Sequence, residues 1–130
     1  MQSFLKPALY FCIFCVFYFS WLPDPSFSNQ TYMPLWLVQW SDEYGRLRTA
    51  IPFIAIGFIF QYLFNPAKFF TLLGFLLSLL IVLIAEGIQF LLPNRHPDFF
   101  DVLYAGLGSM VGMLLFFVSH SFVKILNNIR

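Results

Sequence analysis

Between Glu86 and Asp101 the chain reads EGIQFLLPNRHPDFFD, and five of those side chains have the types and spacing for polar chemistry. Glu86 and Gln89 are three apart, so a helix sets them on one face. Asp98 and Asp101 share that spacing, and a second helix opening near Pro97 brings them together in the same way. Arg95 lies in the turn between the two pairs. Its guanidinium suits a phosphate or carboxylate held by two parallel N–H bonds. Glu86, Gln89 and the aspartates would position such a group or hold a sugar hydroxyl.

Glu86 also sits inside an apolar run, six residues before its expected end at Leu92, or roughly 9 Å at ~1.5 Å of rise per residue. A charged side chain at a bilayer centre costs on the order of 3 kcal/mol, and less at this depth. Such residues face a bundle interior or a water-filled cavity and mark functional sites. The competing reading is structural: Glu86 and Arg95 pair to tie a helix to its turn.

The residues absent from this stretch narrow the chemistry. No Ser or Cys nucleophile stands near a His, no Gly-rich loop is present to cradle a phosphate, and no pair of His offers metal-ligand spacing. Neither a metal nor a cofactor is expected. His96, between Arg95 and Pro97, reads as a solvated turn residue. Cys12-x-x-Cys15 falls within an apolar run with no strand–helix context, so both cysteines read as small buried hydrophobes.

The elements that must position the cluster follow from composition. Of 130 residues, 60% are hydrophobic, 22% aromatic and 10% charged. A soluble domain carries about 25% charged residues, so this chain reads as an integral membrane protein of one domain, residues 1–130. Its net charge of +1 gives no reason to expect a nucleic-acid partner. The expected fold is all-α, a four-helix transmembrane bundle with spans near 4–22, 47–64, 69–92 and 102–123. The first is read as a retained anchor, because Pro23, Asp24 and Pro25 follow it where a small-residue cleavage site would stand. Between the first two spans, Pro34 opens a short interfacial helix with Trp36 and Trp40 one turn apart on one face. The brief turn Asn65-Pro66-Ala67-Lys68 makes the second and third spans antiparallel neighbours.

In the fourth span, Asp101 tops a stripe of small residues, Ala105, Gly108 and Gly112, and Gly108-x-x-x-Gly112 is a close-packing signature. A helix packed there would bring its own polar end to Asp101, and the helix of Glu86 is the expected one. Lys6, Lys68, Lys124 and Arg130 fall on one side of the four spans and every acid on the other. That distribution puts both termini in the cytoplasm and the polar cluster outside.

The pattern Glu86-x-x-Gln89, Arg95-x-x-Asp98-x-x-Asp101-Val102 and Gly108-x-x-x-Gly112 resembles the VanZ-like family, across the third and fourth spans or roughly half the chain. Ala105 stands where many members carry an Asn, and Arg46 and Arg48 stand where many carry a Lys and a His. The resemblance implies a multi-pass protein of the bacterial inner membrane acting at the cell envelope, with an influence on glycopeptide susceptibility. Three roles stay open for the cluster. It binds a membrane lipid or lipid-linked envelope precursor by its head group; it only staples the helices, in a structural protein with a membrane-protein partner; or it serves a transferase or hydrolase acting on a lipid-linked substrate.

Overall fold

A computed structural model describes residues 2–24, 26–64 and 68–129. They form α1 (Gln2–Ser20), a 3₁₀ turn (Phe27–Asn29), α2 (Leu35–Glu43), α3 (Gly45–Leu63), α4 (Lys68–Gln89) and α5 (Phe99–Ile129). No described residue lies in a strand. Two helices are long and apolar enough to cross a membrane, α4 over Thr71–Gln89 and α5 over Phe99–Asn128, and α1 adds a shorter apolar run, Phe4–Ser20. The expected turn at 65–67 lies outside the described residues, as do Pro25, Arg130 and the side chain of Lys68.

The helix ends differ from expectation for local reasons. α4 stops at Gln89, three residues early. Beyond it Leu91, Leu92 and Arg95 donate to carbonyls three residues back, at 2.9, 3.1 and 3.3 Å, which tightens the chain into successive turns. Pro93 also keeps Leu92 out of the helical region. α5 begins at Phe99 because Asp98 caps it, its Oδ1 accepting the Phe100 N–H at 2.9 Å. It continues to Ile129 instead of ending near Val123, since no Gly or Pro follows Gly112 to stop it. α3 opens at Gly45, so Pro52 falls past the first turn and one N–H is missing from the helix interior.

α3 and α5 form the tightest contact. A Cβ on Gly108 would strike the Ala50 carbonyl, one on Gly112 the Ile54 carbonyl, and one on Gly57 the Ser109 backbone. The matched positions rise together along both chains, so the two helices run parallel. The glycine stripe, expected to receive α4, therefore receives α3. α4 runs antiparallel alongside, joined to α5 by Ser109 Oγ donating to Ser78 Oγ at 2.9 Å. α1 contributes Leu9 to a core with Phe53, Ile56, Phe60, Val82 and Ala105.

Outside this apolar core, polar side chains are buried and many large apolar ones are exposed. Ser41, Gln61, Ser78, Glu86, Gln89 and Ser109 are buried, while Leu72, Leu76, Leu80, Leu107, Leu114 and Phe122 are among many large apolar side chains exposed on α4 and α5. Every residue described from Phe117 to Asn128 is exposed, so the last turns of α5 stand clear of the other helices. The C-terminal ends of α1 and α4 and the N-terminal ends of α3 and α5 meet at one end of the bundle, shown by Gln89 bonded to Ser20 and Thr49 bonded to Asp101.

Candidate functional site

At that end a cavity of about 310 Å³ opens among α1, α2, α3 and α4. Glu86 and Gln89 of α4, Arg95 of the following turn and Asp101 of α5 all line it. Helical spacing sets Glu86 beside Gln89, whose amide Nε2 donates to Glu86 Oε1 at 3.2 Å and to Ser20 Oγ at 2.7 Å. The second Glu86 oxygen accepts the Asp98 backbone N–H at 3.0 Å. One carboxylate thus fixes its own helix to the start of the next. The Asp98 side chain, by contrast, is spent on capping α5.

Arg95 bonds to main-chain carbonyls and not to Glu86, the partner that the stapling reading gave it. Its Nε donates to the Leu22 carbonyl at 2.7 Å, and one terminal nitrogen donates to the carbonyls of Phe19 at 3.1 Å and Asp24 at 3.5 Å. The Phe19 carbonyl is one of those left over in the last turn of α1, and those of Leu22 and Asp24 belong to the connection that follows it. Burial and then the like charge of Arg48 push the Arg95 guanidinium below the ordinary arginine value, while Glu86, Asp24 and Asp101 pull it back up.

Asp101 meets Thr49 of α3, whose hydroxyl donates to Asp101 Oδ1 at 3.1 Å. The α3–α5 glycine contact sets this pair, because it fixes the two helices in parallel register. Thr49 and Arg48 were not singled out by spacing, yet both line the cavity. Arg48 Nη1 donates to the buried Ser41 hydroxyl at 3.1 Å, and its guanidinium lies 4.4 Å from the centre of the Phe27 ring. A lone hydroxyl or arginine at a helix start carries no pattern that a sequence reading would isolate. The one available signal was the pair Arg46 and Arg48 before an apolar run.

The long connection covers the cavity. α2 turns Leu37, Trp40 and Ser41 toward it, while Trp36 is 69% exposed, so the two tryptophans expected on one face lie at different depths. Asp42 anchors the 3₁₀ turn: its carboxylate accepts the Phe27 N–H at 3.0 Å and the Ser26 hydroxyl at 2.8 Å. The Phe27 N–H bond, helped by Ser26 and the charge of Arg48, holds the Asp42 carboxyl below its ordinary range against the opposing effect of burial. Glu43 and His96 are exposed.

The rest of the cavity wall is apolar: Val16 and Phe19 of α1, Ile51 and Phe53 of α3, Val82 and Ala85 of α4. Cys15 lines it too, as a free thiol, and Cys12 packs against the core. Among the described residues no three His, Cys, Asp or Glu side chains gather as a metal site would need. The arrangement can hold a small polar or charged group among the charged side chains and an apolar portion against the apolar ones. Comparison with family models, curated proteins and solved structures found no match to this chain.

Proposed function

We propose that this is a four-span, VanZ-like protein of the bacterial inner membrane, with both termini cytoplasmic, that holds the head group of a lipid or lipid-linked envelope precursor. The observation that carries the reading is the amphiphilic cavity, whose wall combines Glu86, Gln89, Arg95, Asp101 and Arg48 with apolar side chains from α1, α3 and α4. Binding sites for small amphiphiles have this character: mostly apolar walls and a few placed polar groups. The apolar outer faces of α4 and α5 and the buried polar residues support a lipid surround. With four spans, the cavity opens at the membrane edge that a head group occupies. The residue pattern from Glu86 to Gly112 supports the VanZ-like assignment and with it an effect on glycopeptide susceptibility.

The stapling role has one specific observation in its favour. Each oxygen of Glu86 already accepts a hydrogen bond from within the chain, and those bonds hold α4 to the start of α5. Two variants separate the readings. Glu86→Gln and Asp101→Asn keep shape and most hydrogen bonding while removing charge. Under the binding reading both variants stay folded and inserted, with unchanged thermal unfolding in detergent, and lose the glycopeptide phenotype. A full phenotype with lowered thermal stability would defeat it. The topology has its own test: single cysteines at Lys68 and Asn94, in a background lacking Cys12 and Cys15. An impermeant reagent outside intact cells should label only position 94, and labelling at 68 would reverse the orientation.

A further inference from the structure

We propose that the head group bound in this cavity is zwitterionic, a phosphate ester bearing a primary ammonium, its phosphate between Arg48 and Arg95, its ammonium between Glu86 and Asp101, and its apolar chain leaving past Ile51. The proposal rests on the amphiphile-binding reading above and names its ligand class.

The charges lining the cavity come in two pairs. The described charged residues on its wall are Arg48, Arg95, Glu86 and Asp101, two of each sign, so the wall is neutral in sum. Like charges act on one another, Arg48 on Arg95 and Asp101 on Glu86, and opposite charges do so as well, Glu86 and Asp101 on Arg95 and Asp101 on Arg48. An anion alone relieves the arginines and adds to the repulsion at the carboxylates. A cation alone does the reverse. A ligand carrying both charges relieves both pairs, and the low dielectric of a half-buried site makes that relief count.

Hydrogen-bonding capacity points the same way. Arg95 spends Nε and one terminal nitrogen on carbonyls, and its other terminal nitrogen remains to face a phosphate. Asp101 spends Oδ1 on Thr49, and each Glu86 oxygen takes one donor of the two it can accept. The remaining lone pairs call for N–H donors. A primary ammonium brings three, whereas a quaternary ammonium brings none.

The way in is apolar. Of the described lining residues Ile51 is the most exposed, at 51%, whereas Glu86, at 7%, lies among the buried ones beside Val82 and Ala85 of the same helix. A ligand with its polar group inside and its chain at Ile51 fits that polarity. A fully water-soluble ligand leaves the apolar rim unused.

The test uses the full chain in detergent micelles, followed by tryptophan fluorescence, since Trp40 lines the cavity. Short-chain phosphatidylethanolamine, phosphatidylcholine and phosphatidylglycerol are titrated beside soluble phosphoethanolamine. The ethanolamine lipid should bind roughly ten-fold or more tightly than the other two lipids, the difference expected of charge-assisted hydrogen bonds. Soluble phosphoethanolamine should bind more weakly than its lipid. Asp101→Asn should narrow the gap between the ethanolamine and choline lipids, and Ile51→Trp should weaken all three lipids while leaving soluble phosphoethanolamine unchanged. Because Ile51 is not one of the charged residues of the wall, this variant remains informative if Asp101→Asn fails to fold. Equal or tighter binding of the glycerol or choline lipid overturns the zwitterion assignment and leaves amphiphile binding standing. Equal binding of soluble phosphoethanolamine overturns the chain's exit past Ile51. Binding of no phospholipid overturns this inference and the lipid reading beneath it together.

Discussion

α3 has two working faces, and they are built on opposite principles. Toward α5 it presents Ala50, Ile54 and Gly57 to a partner whose Gly108 and Gly112 have no side chain to separate the backbones. Toward α1 and α2 it presents Arg48, Ile51 and Pro52 to an open volume. The first face is held by van der Waals contact, which depends on fit to a fraction of an ångström. The second is held by hydrogen bonds to carbonyls, hydroxyls and one carboxylate at Arg95, Arg48 and Asp42. The close-packed seam sets Thr49 against Asp101, so one face of α3 fixes a pair of groups that line the cavity on the other.

The most direct way to break that comparison is one methyl group on each side. Gly112→Ala puts a Cβ against the Ile54 carbonyl and the Phe58 nitrogen, backbone atoms that no rotamer change can move. The helices must part, and overpacking of this kind costs about 3 kcal/mol, outweighing the ~1 kcal/mol an alanine gains over glycine in a helix. Gly87→Ala is the control. A Cβ there meets nothing within 4 Å, so it should raise stability by roughly 0.5–1 kcal/mol. Thermal unfolding of both variants in one detergent checks the pair, and a neutral Gly112→Ala would show the seam to be looser than its geometry.

A smaller effect is expected where Arg95 grips the end of α1. Arg95→Gln removes a charged donor from the Leu22 and Phe19 carbonyls and should lower stability by about 2 kcal/mol, the range for hydrogen bonds to charged groups. The loss should be local: faster amide exchange over residues 20–29, with α3 and α5 unchanged. Uniformly faster exchange would mean that seam and strap unfold as one unit.

Buried glutamines sharpen the contrast further, because one substitution should have opposite signs at two sites. Gln61, one turn beyond Gly57 on α3, is 1% exposed, and neither its Nε2 nor its Oε1 has a hydrogen-bond partner. Gln61→Met keeps the volume and removes two unpaired polar atoms, for a gain of about 1 kcal/mol. Gln89→Met removes the donor to Ser20 and Glu86 and should lose a similar amount. Losses at both positions would show that Gln61 is satisfied in solution.

What the sequence made legible was whatever a helical period can encode. Glu86 and Gln89 fell together because they are three apart, Asp98 and Asp101 mark the start of α5, and long apolar runs announced α4 and α5. A small-residue stripe announces that some backbone comes close but not which one, so α4 was expected where α3 lies. Arg95 was matched to a carboxylate because opposite charge is the visible signal. Its actual partners are main-chain carbonyls, which every residue carries and no sequence distinguishes. Ser41 and Thr49 were passed over for a related reason: a single hydroxyl gains meaning only from the side chain that tertiary packing delivers to it.

The smallest expected effect is a pH dependence confined to the strap. Asp42 accepts the Phe27 N–H and the Ser26 hydroxyl, so its carboxyl is held below the ordinary value of 3.8. A carboxyl depressed in the folded state contributes stability that is fully present above its unfolded value and is lost as pH falls through the folded one. The strap should therefore be firm at neutral pH and loosen only below about pH 4. Asp42 is exposed, so solvent screens the charge and the change should be slight. Asp42→Asn keeps an acceptor for one of the two donors and removes the titration. Protection of the Phe27 amide, its exchange measured against the intrinsic rate at each pH, should fall in acid for the parent chain, and in the variant it should be lower at neutral pH and flat with pH. The α3–α5 seam packs glycine against backbone around Gly57 and Gly112, so protection there should not change over the same range. Protection lost in acid at the seam as well would show that the two faces of α3 are mechanically coupled.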